Sequence, residues 1–194
     1  MSKQERIFVV VNPTLDEHVA LDRAIITAKL LSPSPIICAF VAIDPDTVDS
    51  DVSNDKISRN TDWFEEQIHA PLRAAGLEYK IEVSWCNNWQ KAIMRSAEKF
   101  GATRILIRAG KPKTPSRFSF AESKWKLLKG ATCPVLIVRD GAAEQRKVVL
   151  AAVNFQASRD HQQQLNANIL ARGRALAESY DAEFHVANAY IDSM

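Results

Sequence analysis

The stretch from residue 105 to residue 138 decides the fold: ILIRAGKPKTPSRFSFAESKWKLLKGATCPVLIV. It begins with the apolar run Ile105–Ile107 and passes through the basic loop Lys111–Arg117 into a segment with helical spacing that ends near Lys129. A second apolar run, Pro134–Arg139, closes it. Apolar runs without alternation are typical of parallel strands buried on both faces, and the segment between them is typical of a crossover helix. The stretch therefore predicts a β-α-β unit of a parallel sheet.

The same alternation of apolar runs and helical segments precedes this stretch. Predicted strands and helices follow one another as Ile7–Val11, 15–31, Ile36–Ile43, 57–75, Tyr79–Trp85, Asn88–Phe100 and Thr103–Arg108. Gly76 and Gly101 stand where helix-ending glycines are expected. Five strands result, which predicts an α/β fold: a doubly wound five-stranded parallel sheet with helices on both faces. In such folds ligands bind outside the carboxyl ends of the strands.

The apolar pattern starts again after residues 141–146, which have the composition of a linker. Val148–Asn154 is similar in character to Ile7–Asn12 and ends with the same Val-Asn pair. A helical stretch, Arg159–Tyr180, and a strand-like stretch, Phe184–Asp192, follow. This order predicts the first β-α-β unit of a second copy.

The predicted organisation is a complete domain at residues 1–140, a linker at 141–146, and an additional β-α-β unit, the start of an incomplete second copy, at 147–194. A lone β-α-β unit leaves sheet edges and apolar faces uncovered. We therefore expect the chain to be a fragment of a two-domain protein, or its tail to pack on the first domain or on another chain. The alternative is a self-sufficient appendage.

The composition is that of an ordinary soluble globular protein, with 46% hydrophobic and 25% charged residues. The net charge of +2 is too small for general attraction to nucleic acid or to a membrane surface, so neither is predicted as a partner. No apolar run approaches the roughly 20 residues that cross a bilayer. Cys38, Cys86 and Cys133 lie in apolar surroundings, which favours buried thiols in a reducing cytoplasm.

The titratable residues predict neither catalysis nor metal binding. His18, His69, His161 and His185 are far apart without metal-ligand spacing, and no serine or cysteine stands in a nucleophile motif. The acidic segment Asp44–Asp55 lacks the glycine and the final glutamate of a calcium-binding loop, so we expect a solvated loop. A catalytic group assembled only in three dimensions is the alternative.

Bulky aromatic residues cluster around the third strand and the last helix of the first domain. They are Trp63, Trp85, Trp89, Trp125, Phe64, Phe118 and Phe120. Core packing is their expected role. The alternatives are that they fill the space of a nucleotide or line an apolar pocket for a lipid-like ligand.

Three features together resemble the universal stress protein family: the order of elements, an opening strand ending in Val11-Asn12, and a glycine-bearing loop and helix before the strand Cys133–Arg139. The resemblance covers residues 6–140 as a whole domain and 147–192 as the beginning of another. Trp125–Leu128 looks like the first domain of the tandem two-domain members from proteobacteria. The resemblance implies an adenine nucleotide alpha hydrolase-like fold.

The resemblance also indicates whether the first domain binds ATP. Members that bind ATP carry glycine, two residues, a second glycine, nine residues, and then Gly-Ser or Gly-Thr. Aligning Gly110 with the first glycine puts Lys113 at the second. Counting back from Cys133 puts the final pair at about Ala121-Glu122, with the intervening loop somewhat short. Side chains there keep backbone N–H groups away from phosphate, and a glutamate repels it. Asn12 stands where members often have aspartate. The first domain is therefore expected not to bind ATP, and no cofactor is predicted.

Residues at the expected ligand rim are candidates for binding a small molecule that the sequence does not identify. They are Asn12, Asp44, Gly110, Lys111, Lys113 and Arg117. The first three follow strands whose carboxyl ends share one edge of the sheet. The three cations precede a helix, whose unpaired N–H groups and dipole favour an anion. A solvated basic surface is the alternative, and no catalytic residue or metal ligand is predicted.

The predicted function is that of a cytoplasmic stress-response module that acts by binding or assembly and is not an enzyme. One alternative is a sensor of ATP or AMP, or a weak ATPase, which the ATP-binding members of the resembled family would permit. The other is a carrier of an apolar small ligand. We expect a homodimer or intramolecular pairing of domains, with the strand Pro134–Arg139 as the interface.

Overall fold

The apolar runs of the sequence form two separate parallel sheets. The structure is a computed structural model, and it describes residues 4–43, 58–85, 88–110, 122–142 and 144–188. These residues belong to two compact units, unit 1 (Met1–Ala142) and unit 2 (Ala143–Met194). None of the helices in the described ranges is long and apolar enough to cross a membrane.

Unit 1 contains the predicted five-stranded parallel sheet. Its strands are β1 (Arg6–Val11), β2 (Ile36–Ala42), β3 (Glu78–Ser84), β4 (Arg104–Arg108) and β5 (Val135–Val138). They lie in the order β3-β2-β1-β4-β5, and every neighbouring pair is parallel. Strand order therefore reverses between β1 and β4. This is the position at which doubly wound sheets open a crevice.

Four helices cover the two faces of this sheet. They are α1 (Val19–Lys29), α2 (Thr61–Phe64, Glu65–His69 and Ala70–Ala74 in succession), α3 (Trp89–Phe100) and α4 (Glu122–Gly130). One apolar cluster joins β1 and β2 to α1 and α2. A second cluster joins the opposite side of the same strands to α3 and α4. Helices on both faces are therefore confirmed.

Local chemistry accounts for the irregular middle of α2 and for the two ends of α3. The middle segment of α2 is a π-helical turn that ends two residues before Pro71, which has no N–H to donate to the carbonyl of Gln67. The Asn88 side chain accepts a hydrogen bond from the Lys91 N–H at 3.1 Å and caps α3. Gly101 ends α3 at a φ of 71°, in the left-handed region that glycine adopts without strain.

In its described part, unit 2 is a single β-α-β unit. β6 (Val148–Val153) leads into the long helix α5 (Asp160–Tyr180) and returns as β7 (Glu183–Asn188). β6 and β7 are parallel, and β6 begins opposite Glu183. The remainder of the predicted last strand, residues 189–192, lies outside the described residues.

The expected core role of the aromatic residues is wrong for two tryptophans. Trp63 and Trp89 are buried, but Trp85 is 56% exposed and Trp125 is 50% exposed. Trp85 follows the end of the edge strand β3, and Trp125 precedes the buried Leu127 on α4 but points to solvent. Phe118 and Phe120 lie outside the described residues.

The two cysteines within the described ranges are free thiols in different surroundings. Cys38 is buried in β2, and burial raises the pKa of its thiol to about 12. Cys133 is half-buried, so the expectation of a buried thiol is wrong there. Cys86 lies outside the described residues.

Replacing Leu72 with alanine is expected to lower the free energy of unfolding of unit 1 by about 2–5 kcal/mol, because its side chain is fully buried in the α2-side cluster. Leu30→Ala is the matched control, because that leucine is 40% exposed and its loss should cost about 0.5 kcal/mol. Urea denaturation followed by tryptophan fluorescence measures both, since all four tryptophans lie in unit 1. Equal losses would contradict the burial of Leu72.

Candidate functional site

A crevice lies at the carboxyl ends of β1 and β4, where the strand order reverses. Its walls come from the end of β1, the β1–α1 loop, the start of α1 and the end of β4. The lining residues are Val10, Val11, Asn12, Leu15, Glu17, His18, Val19, Ala20, Ile107 and Arg108. The cavity volume is about 20 Å³, which is room for about one water molecule.

Asn12 organises the loop that follows β1. Its side chain is buried, and its Oδ1 accepts hydrogen bonds from the backbone N–H of Thr14 at 3.1 Å and from the Thr14 hydroxyl at 2.9 Å. Asparagine commonly turns the chain in this way by bonding the backbone two residues on. Asn12 therefore has a structural role at this rim, because its side-chain oxygen Oδ1 already accepts two hydrogen bonds.

His18 occupies the centre of the crevice wall. It is the residue before α1, and its ring lies edge-on to the Trp63 ring with 5.4 Å between centroids. Its Nε2 is buried and has no hydrogen-bond partner among the described residues. Burial lowers the pKa of His18 to about 4, helped by the positive charges of Arg59 and Arg108 and opposed by Asp16. His18 is therefore neutral at physiological pH.

Arg59 ties the entry of α2 to the β1–α1 loop. Its Nε donates to the Pro13 carbonyl at 2.8 Å, and its guanidinium lies 3.7 Å from Asp16 and 5.3 Å from the Trp63 ring centroid. These contacts hold Trp63 against His18. The Trp63 ring thereby helps to fix the position of the His18 ring in the crevice wall.

Arg108, at the end of β4, supplies the other cation of the crevice. Its Nε and one terminal nitrogen donate to the two carboxylate oxygens of Asp140, each at 2.6 Å. A bidentate pair of this geometry is strong and directional. Because Asp140 follows β5, the pair joins the carboxyl ends of β4 and β5. An incoming anion would have to compete with this carboxylate.

The described residues contain only part of the predicted ligand rim. Asn12 follows β1, and Gly110 lies two residues beyond β4, so both stand after neighbouring strands as predicted. Asp44, Lys111, Lys113 and Arg117 lie outside the described residues. The ligand role of all six stays a prediction.

Sequence reasoning did not place three residues at this site: His18, Arg59 and Arg108. Trp63 was named only among the aromatic residues expected to pack in the core, with filling of nucleotide space as an alternative. Arg108 carried a usable signal, because it is the charged residue that ends an apolar strand at the predicted ligand edge. His18 had none, since only tertiary packing brings it against Trp63.

A parallel sheet in the order β3-β2-β1-β4-β5, covered by helices on both faces and with a crevice where the order reverses, defines a doubly wound α/β domain. The sequence profile of the universal stress protein family matches residues 4–139. The chain belongs to the universal stress protein family.

Curated relatives extend beyond this domain. Universal stress protein E of Photorhabdus laumondii is 25% identical to this chain, and that of Escherichia coli K12 is 27% identical, each over 202 residues. Both alignments cover 98% of this chain, which spans 63% of the length of each relative. The tandem arrangement of two whole domains stays a prediction.

Solved structures show the same fold along nearly the whole chain. A Pseudomonas aeruginosa UCBPP-PA14 protein assigned to this family has a TM-score of 0.77 and 22% identity, covering 98% of this chain and 63% of its own. A Pseudomonas aeruginosa PAO1 protein described as functionally unknown has a TM-score of 0.74 and 22% identity, covering 96% and 61%. At this identity the likeness concerns the fold alone.

The wild-type chain is expected to lose stability relative to His18→Gln as the pH falls from about 6.5 to about 4. The folded chain keeps His18 neutral down to its pKa of about 4, whereas the unfolded chain takes up the proton near 6.5, so acid favours unfolding. The loss is at most about 3 kcal/mol and levels off below pH 4.

Urea titrations of both proteins at several pH values measure this difference. Their carboxylates are identical, so subtracting one curve from the other isolates His18. A difference that stays constant from pH 7 to pH 4 would contradict a buried neutral imidazole.

Proposed function

We propose that this chain is a non-enzymatic, cytoplasmic stress-response module of the universal stress protein family, which acts by binding or assembly and whose first domain does not bind ATP. The observation that carries the proposal is the small volume of the crevice. His18, held by Trp63, stands where a doubly wound sheet receives its ligand, and the space left is that of about one water molecule.

The charges around the crevice also disfavour a nucleotide. Arg108 is paired with Asp140, so a phosphate group at Arg108 would have to displace that carboxylate, and Asp16 lies 3.7 Å from Arg59. The glycines that would wrap a phosphate are absent at Lys113 and Ala121.

The same crevice gives no support to the apolar-carrier alternative. A lipid-like ligand needs a pocket that covers most of its surface. The walls here leave about 20 Å³, and they include His18 and the paired Arg108.

Assembly through β5 is the mode of action we propose. β5 is the last strand of the sheet, beside β4, in the described part of unit 1. Ile105 N–H donates to the Pro134 carbonyl at 2.9 Å, and Ala109 N–H donates to the Val138 carbonyl at 2.7 Å. Because backbone groups alternate in direction along a strand, those of Val135 and Ile137 face away from β4. These N–H and C=O groups therefore point toward the side on which β5 of a second copy would pair.

Isothermal titration tests the absence of nucleotide binding. Neither ATP nor AMP at millimolar concentration is expected to produce heat beyond dilution, because His18 would have to leave the crevice first. Micromolar binding would overturn the proposal if Arg108→Ala weakens it, since Arg108 lines the crevice. Binding that this variant leaves unchanged belongs to another surface and leaves the proposal for the crevice intact.

Replacing Ile137 with proline is expected to raise the dimer dissociation constant about tenfold or more, because proline removes an outward N–H from β5 while sparing the bonds to β4. Ile137→Ala is the matched control, because it also removes the isoleucine side chain but keeps the backbone N–H. Light scattering over a dilution series measures both. An unchanged dimer in the proline variant would exclude β5 pairing.

A further inference from the structure

The exposed charges of unit 1 are divided unequally between its two helix layers. The exposed cations on α3 and α4 are Lys91, Arg95, Lys99, Lys126 and Lys129, and Glu98 is the one exposed carboxylate among the described side chains of these helices. The exposed carboxylates on α1 and α2 are Asp22, Asp62, Glu65 and Glu66, and the exposed cations there are Lys29 and Arg73. The net charge of +2 for the whole chain therefore conceals a basic layer and an acidic layer.

The five exposed cations of α3 and α4 share one continuous surface, which we call the basic face. The two helices lie side by side, because a side chain at Gly130 of α4 would collide with the Met94 sulfur of α3. Both helices bury apolar side chains, including Ile93 and Leu127, against the same side of the sheet. Their opposite sides therefore face solvent together. The three cations of α3 stand four residues apart, which places a charge about every 6 Å along the helix.

Most of these charges have no internal counterion. Within the part of the chain that the structure describes, the cations without an ion pair are Lys91, Arg95, Lys99 and Lys129. On the other layer, by contrast, the exposed Arg73 is bound to Glu65. Like charges one helical turn apart repel each other, so a polyanion that bridges them relieves this repulsion. The basic face therefore favours a partner that carries a row of negative charges.

An exposed tryptophan lies among these cations. Trp125 is 50% exposed, whereas Leu127 on the same helix is buried. Lys129 follows Trp125 by one helical turn, so the two side chains are neighbours on the helix surface. An indole ring beside cations provides a surface on which a nucleobase stacks while the cations bind phosphate. An acidic peptide would use the cations and leave the ring without a stacking partner.

We propose that the basic face binds single-stranded nucleic acid, with its lysine and arginine side chains on phosphates and Trp125 stacked on a base. A duplex is disfavoured, because its base faces are already stacked inside the helix and offer nothing to the indole ring. Binding tolerates different sequences, because every base has a stacking face. The proposal departs from the expectation drawn from net charge, because a polyanion meets the local charge of one face rather than the sum over the chain.

Fluorescence anisotropy of a labelled oligodeoxythymidine of about 20 nucleotides, titrated with the full chain, tests this proposal. We expect a micromolar dissociation constant at about 50 mM salt. If four cations of the basic face contact phosphates, raising the salt concentration to about 200 mM weakens binding about 50-fold, because bound counterions are released. Absence of binding at the lower salt concentration, or an affinity that salt leaves unchanged, would overturn the proposal.

Two double variants of equal charge locate the binding surface. Lys91→Ala with Arg95→Ala removes two cations of the basic face, so the weakening over the same salt range is expected to shrink to about sevenfold. Lys29→Ala with Arg73→Ala is the matched control, because it removes two exposed cations from the other layer and should leave the affinity and its salt dependence unchanged. Equal losses in both double variants would show attraction to the total charge and reject the basic face.

Variants of Trp125 separate nucleic acid from other anionic partners. Trp125→Ala is expected to weaken oligonucleotide binding about tenfold without changing its salt dependence, and Trp125→Phe should restore most of the affinity, because a ring still stacks on the base. An unchanged affinity of Trp125→Ala would reject the proposal in favour of an acidic polypeptide. Tighter binding to phosphatidylglycerol vesicles than to the oligonucleotide would reject it in favour of a membrane surface.

Discussion

A parallel strand at the centre of a sheet needs a neighbour on each edge and apolar cover on each face, and unit 1 is arranged to meet this need for β1. β2 and β4 pair with its two edges. Its side chains alternate between two separate clusters, one under α1 and α2 and the other under α3 and α4. Placing β1 in the middle makes the chain reverse its direction across the sheet between β1 and β4. The crevice at their carboxyl ends is a consequence of that reversal.

The side chains at the crevice also belong to the packing of the domain. Trp63 belongs to the core that α2 forms on the sheet, and the same ring holds His18 in the crevice. Arg108 is bound to the Asp140 carboxylate and Arg59 to the Pro13 carbonyl, so both arginines stabilise loops at the ends of strands. The position of His18 and the packing of α2 therefore depend on the same residue, Trp63.

Much of the fold was predictable because each signal was local. The strand predicted at Ile36–Ile43 is observed at Ile36–Ala42, and the helix predicted at Asn88–Phe100 is observed at Trp89–Phe100 with its asparagine cap and Gly101 end. The site was less predictable. Asn12 follows a strand and stood out, whereas His18 gains its character from Trp63, 45 positions away in the sequence. The exposed Trp85 and Trp125 show the same limit, because hydrophobicity predicts burial without saying on which side of an element a residue lies.

The sequence by itself determined the parallel α/β class, the repetition of the first strand, and the absence of the glycines that wrap phosphate. Periodicity, caps and glycine positions act over a few residues, so they can be read along the chain. Only the tertiary structure decided that the described crevice is small, that Arg108 is paired with Asp140, and that β6 is buried on one face while β1 is buried on both. These properties depend on which distant side chains meet. Burial, ion pairing and a shifted pKa arise from those contacts rather than from local pattern.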